Sequence, residues 1–112
     1  LPTSTVDSSW RDMKVYNDYV YIVSEAQDHG LQVFNLSKLR GVESEQIFSA
    51  DFIDNSFGNA HNIAINEDLG YAYIAGSCDD PPCERDRSNS KGLYVFESIS
   101  QLVRNVAYFL SR

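Results

Sequence analysis

Apolar and aromatic residues recur along this chain in short runs, broken every few positions by turn-forming residues, and the runs are rich in Val, Ile and Tyr. Such a pattern predicts strands rather than helices. Strands are expected at Asp12–Tyr16, Tyr19–Ser24 and Leu31–Leu36, and again at His61–Asn66, Tyr71–Ala75 and Leu93–Phe96. Asn17-Asp18 and the stretch from Asn66 to Gly70 carry turn chemistry, so each set opens with a hairpin. A further strand is expected at Gln46–Asp51, followed by a loop over Phe52–Asn59. In the tail, Leu102, Val103, Val106, Phe109 and Leu110 have helical spacing.

The two sets are copies of one unit. WRDMKVYNDYVYIVSEAQDHGLQVFNLSKL, from Trp10 to Leu39, returns as AHNIAINEDLGYAYIAGS and KGLYVFESISQL between Ala60 and Leu102. The offset is 49 positions at the first element (Asp12 to His61), 52 at the second (Tyr21 to Tyr73) and 62 at the third (Leu31 to Leu93). The last step grows because the second copy carries an insertion between Gly76 and Lys91. A period near 50 residues built of short strands is the signature of β-propeller blades.

The fold expected is therefore all-β: about two antiparallel propeller blades, an incomplete propeller, with a short C-terminal helix. Residues 1–9 form a polar lead-in, 10–59 the first repeat, and 60–112 the second, with an inserted Cys and acidic loop at 77–91 and a tail at 97–112. The middle strand YVYIVS is apolar on both faces, so its sheet should be covered on both sides. Matching apolar positions predict burial of Tyr21, Ile22, Val33, Ile63, Ile65, Tyr73, Ile74 and Val95. Propellers close with four to eight blades, so two blades read as a fragment of a larger protein that could self-associate through its open blade edges.

Charge narrows the partners. Nine basic residues against sixteen acidic ones give a net charge of −7, which opposes binding to nucleic acid or anionic lipid. The apolar runs fall well short of the ~20 residues a membrane helix needs, so no direct membrane insertion is expected in this segment.

Candidate chemistry gathers at one edge. In an antiparallel meander the connection from the second to the third strand emerges beside the entry to the first. That rule places Glu25 to His29, the Cys78–Lys91 insertion, Trp10–Asp12 and Asn59–Asn62 on one face. Glu25, Asp28, His29, His61 and Asn62 are the candidate binding residues. Histidines with carboxylates such as Asp79, Asp80 and Asp86 can hold a transition ion. Neither histidine belongs to a tight ligand motif, however, so hydrogen bonding is the simpler role, and neither a metal nor a cofactor is expected. The insertion CDDPPCERDRSNS lacks the spacing of a calcium loop. Cys78 and Cys83 are expected to form a small structural disulfide in an oxidising compartment, with pairing to cysteines outside this sequence as the alternative. Asn35-Leu36-Ser37 fits the N-glycosylation rule. The recurring tyrosines and phenylalanines fit core packing better than carbohydrate stacking.

At DHGLQVFNLSKLR, FGNAHNIAINEDLGYAYIAG and KGLYVF the sequence resembles the choice-of-anchor B family, whose repeats are related to LVIVD-type propeller repeats. The match runs from about Ser9 to Phe96, and SEAQDHGLQVF and NAHNIAINEDLGYAY are its most specific pieces. The resemblance implies a secreted or surface-attached β-propeller with no common catalytic activity. After Phe96 the chain departs from the pattern, reading ESISQLVRNVAYFLSR.

Two functions follow as expectations. The first is a noncatalytic extracellular or cell-surface module that binds a protein or glycan partner. The second is a hydrolase or lyase in which His61 and a carboxylate such as Asp28 or Asp12 exchange protons. No nucleophile elbow, phosphate loop or dinucleotide fingerprint is present in the sequence.

Overall fold

The computed structural model describes residues 1–78, 92–97 and 99. It is all-β, with two antiparallel sheets. The first contains β1 (Arg11–Tyr16), β2 (Tyr19–Ser24), β3 (Leu31–Asn35) and β4 (Phe52–Asp54) in that spatial order. The second contains β5 (Asn62–Asn66), β6 (Tyr71–Ala75) and β7 (Leu93–Phe96), again in sequence order. The helical expectation for the tail and the structure of the 79–91 insertion lie outside the described residues.

Turn chemistry sets both hairpins. Asn17 and Asp18 both have positive φ (49° and 65°) and close a two-residue loop between the paired Tyr16 and Tyr19. That geometry matches the right-handed twist of the strands, and Asn and Asp tolerate it best after glycine. In the second hairpin, Asn66 Oδ1 accepts the N–H groups of Asp68 and Leu69 at 3.1 and 3.2 Å, and Gly70 closes the loop at φ 70°.

Strand register then decides which residues meet. Lys14 lies opposite Tyr21, while Ala64 lies opposite Tyr73. Because Tyr21 and Tyr73 are repeat equivalents, the first strands match at an offset of 50 rather than the expected 49, and Asp12 corresponds to Asn62, not His61. A one-residue slip exchanges the two faces of a strand. The correction therefore assigns Ile63 and Ile65 to the face opposite that of Lys14 and Tyr16.

With that register, the packing runs head to tail. One face of the first sheet carries Tyr21, Val23, Leu31 and Val33, and it packs on the face of the second sheet that carries Ile63, Ala72 and Ile74. Phe57 and Ala60, from the connection between the sheets, are sealed into the same core. These two faces are not repeat equivalents of each other. The equivalent of the Tyr21 face is the opposite side of the second sheet, with Tyr73, Ala75, Leu93 and Val95. Tyr73 is consequently half-buried and Val95 exposed, and Ile65, although it packs against the shared core, is half-buried too, contrary to expectation, whereas Tyr21, Ile22, Val33, Ile63 and Ile74 are buried as expected.

The other face of the first sheet carries Val20, Ile22 and Phe34, covered by Leu36 and Phe48. This cover displaces the fourth strand. Phe48 leaves the expected Gln46–Asp51 strand to pack on Phe34 at 5.6 Å between ring centroids. Asp51 then holds the chain end by accepting the Asn35 N–H (2.6 Å) and pairing with Lys38, and the strand runs from Phe52 to Asp54 instead. Burying an aromatic ring outweighs a few edge-strand hydrogen bonds that water can replace. The third strand also stops one residue early, because Asn35 caps a single 3-10 turn over Leu36–Leu39.

Candidate functional site

The entries to β1 and β5 meet at one edge of the stack. Ala60 N–H donates to the Ser24 carbonyl (2.7 Å), and the Trp10 indole N–H donates to the His61 carbonyl (2.7 Å). Asp12 closes the seam, its Oδ2 accepting the Ile63 N–H at 3.0 Å and the Asn62 carboxamide at 3.2 Å. Its Oδ1 takes the Met13 N–H and the Lys14 ammonium. Burial disfavours the Asp12 charge, but the donors from Ile63, Lys14, Asn62 and Met13 outweigh it and hold the pKa at about 2.

Above the seam lies a small cluster of side chains. The Trp10 and His61 rings stack at 4.6 Å with only 5° between their planes. His61 Nδ1 donates to Glu25 Oε1 at 2.6 Å, which directs Nε2 away from the carboxylate. Both partners remain substantially open to solvent. Gly76 lets the imidazole sit this close, since a Cβ there would stand 3.0 Å from that of His61, and its φ of 65° suits glycine. The cluster can present an aromatic face with a carboxylate oxygen and an imidazole nitrogen beside it.

The five candidate residues therefore separate. Glu25 and His61 share the cluster, and Asn62 bonds Asp12 in the seam beneath it. Asp28 occupies the turn before His29 at φ 57°. His29 is fully buried. Its Nδ1 donates to the Gly30 carbonyl (3.0 Å) and its Nε2 accepts from Arg11 Nη1 (3.3 Å), an arrangement that requires the neutral ring. Burial, followed by the Arg11 charge, lowers its pKa against the opposing hydrogen bonds to Gly30 and Gln32. His29 thus braces the interior and offers no surface to a partner.

Two participants were missing from the expected binding set. Trp10 and Asp12 were placed on the correct edge by chain direction, but nothing in their spacing distinguishes a stacked indole or a clamping carboxylate. For the acid–base alternative, His61 pairs with Glu25 and not with Asp12 or Asp28. The Asn35 side chain accepts from Ser37 N–H (3.0 Å) and Ser37 Oγ (2.6 Å), so it serves as a cap. Cys78 is buried and is not a free thiol, while Cys83 lies outside the described residues. Among the described residues no group of three or more His, Cys, Asp or Glu could hold a metal ion, and no helix is long and apolar enough to cross a membrane.

The fold and site thus define an all-β chain of two stacked antiparallel sheets with a polar-aromatic cluster at their shared entry edge. No family model, curated protein or solved structure matches it.

Proposed function

We propose that this chain is a noncatalytic interaction module of an extracellular or cell-surface β-propeller, as the choice-of-anchor B resemblance implies. Its two sheets are consecutive blades, and Trp10, His61 and Glu25 form the surface that meets a protein or glycan partner. The observation that carries this reading is the Trp10 ring, 43% exposed and held flat against His61. A rigid, exposed aromatic offers contact area at small entropic cost, and Glu25 adds an acceptor beside it. A Cys78–Cys83 bridge would order the insertion that begins at the same edge, since Cys78 N–H donates to the Asn59 carbonyl (3.0 Å).

Trp10 is the only tryptophan in the chain, so its fluorescence reports on the cluster directly. Titration with a panel of oligosaccharides and extracellular protein domains should find a ligand that changes its emission saturably. The change should weaken at least about tenfold in Kd for Glu25→Gln. Ligand capture that leaves Trp10 emission untouched would place the binding surface elsewhere.

The His61 to Glu25 bond favours a second reading, because a carboxylate that orients an imidazole prepares it for proton transfer. Hydrolysis of an ester or glycoside substrate that falls by about a hundredfold or more in His61→Ala would support it over the binding module.

A further inference from the structure

The two sheets stack with unlike faces together, so among the described residues one face of each kind lies outside that contact, that of the first sheet being partly covered by Leu36 and Phe48. At the free end of the second sheet, Ala64, Tyr73, Ala75, Leu93 and Val95 share a face. Leu93 and Val95 are 55% and 40% exposed, although their repeat equivalents Leu31 and Val33 are fully sealed. At the opposite end, the first sheet presents Met13, Val15 and Ile53 as exposed apolar residues around Val20 and Ile22, which the chain's own Leu36 and Phe48 help to bury. That face is the repeat equivalent of the Ile63, Ala72 and Ile74 face already used inside the chain. Each outer face is therefore the counterpart of a face whose partner is visible in the same molecule.

We propose that a second copy of this chain docks its Met13 and Val15 face onto the Tyr73 and Val95 face, repeating between molecules the contact made within one. Continuity with the internal interface identifies the occupant. A back-to-back pair would instead match two Tyr73 faces, for which the molecule contains no precedent. The contact uses different surfaces on the two partners, so one docking event leaves a free face at each end. Association of this type grows into a ring or an open stack. The face that docks is also distinct from the Trp10 cluster, which lies at the strand-entry edge.

The first sheet is adapted to this. Leu36 and Phe48 cover only part of its outer face, at the Val20 and Phe34 end. Toward the other end a hollow of about 380 Å³ opens between the N-terminal residues Leu1, Thr3 and Asp7 and the sheet residues Arg11, Met13, Ile22 and Gln32. On the second sheet a shallow hollow of about 520 Å³ includes Ala64 and Tyr73 and extends to the Asn66, Glu67 and Asp68 turn.

The test uses sedimentation velocity on the full chain and two charge variants at exposed sites. The wild type should show a weight-average size that rises with concentration up to about 100 µM. Val95→Lys and Val15→Lys should each raise the dissociation constant by about tenfold or more while retaining the β-sheet circular-dichroism signal. Mixed together, the two variants should form a 1:1 dimer and nothing larger, because each retains one competent face. A wild type that stays monomeric throughout would overturn the proposal. So would loss of association with Val95→Lys but not with Val15→Lys, which would indicate back-to-back pairing. Association unaffected by either substitution would overturn it in favour of pairing through strand edges.

Discussion

Leu31 and Leu93 occupy the same place in the repeat, yet one is completely buried and the other is 55% exposed. The contrast extends to Val33 against Val95 and Tyr21 against Tyr73. Pattern and register against the middle strand are shared within each pair, so neither accounts for the difference. What differs is the neighbours: the first sheet has the second stacked on that face and β4 paired beside β3, whereas among the described residues no sheet stacks on that face of the second and no strand pairs outside β7. Burial in a repeat is thus decided between units, and a residue's own strand says only which face it occupies.

The sharpest way to break this comparison is to truncate both leucines. Leu31→Ala should destabilise the fold by about 3 kcal/mol, whereas Leu93→Ala should cost less than about 1 kcal/mol, read by urea denaturation of the two variants. Equal costs would show that the two faces are packed alike.

Gly30 and Gly92 are a second equivalent pair with unequal surroundings. Both have positive φ, 71° and 90°, but a Cβ on Gly30 would overlap the Asp54 carbonyl oxygen while one on Gly92 would meet nothing within 4 Å. Gly30→Ala is expected to cost about 2–3 kcal/mol, combining backbone strain with a clash against main chain, and Gly92→Ala about 1 kcal/mol from strain alone. Thermal melts of the two variants should separate accordingly.

Asp12 and Asn62 sharpen the comparison at the seam. The folded pKa of Asp12 is about 2, below its ordinary value of 3.8, so the stability it supplies is fully present above 3.8 and is lost as pH falls toward 2. Asp12→Asn should remove about 1–2 kcal/mol at neutral pH and flatten the stability profile between those limits. An acid limb identical to that of the wild type would show that the carboxylate does not clamp the second sheet.

Tyr21 offers the smallest effect. Its hydroxyl is buried without a hydrogen-bond partner among the described residues, and burial, with smaller contributions from Tyr16 and Tyr19, pushes its pKa up. Tyr21→Phe should change stability by no more than about 1 kcal/mol and in the stabilising direction, since an unpaired polar group is removed from the core. A clear loss in equilibrium denaturation would mean that the phenol has a partner.

Much of the strand order was legible because alternation, turn residues and the repeat all agreed. The bounds of β2, β6 and β7 fall where the sequence predicted them. The fourth strand was not legible, since the preference of Phe48 for the outer face of the first sheet depends on Phe34, a contact between separate chain segments. The register of β5 is hidden for a related reason: His61 resembles a strand residue, but it stacks on Trp10 outside the strand. At the site, chain direction brought the correct segments together. It could not separate His29, which turns inward beneath Arg11, from His61, which turns outward.

The head-to-tail arrangement of the two sheets is tested most directly by nuclear Overhauser contacts from the Ile63 and Ile74 methyl groups. Contacts to Tyr21 and Val33 are predicted, because those residues share one sealed core with the two isoleucines. Contacts to Met13 or Ile22 instead, or no contacts to the first sheet at all, would contradict the arrangement.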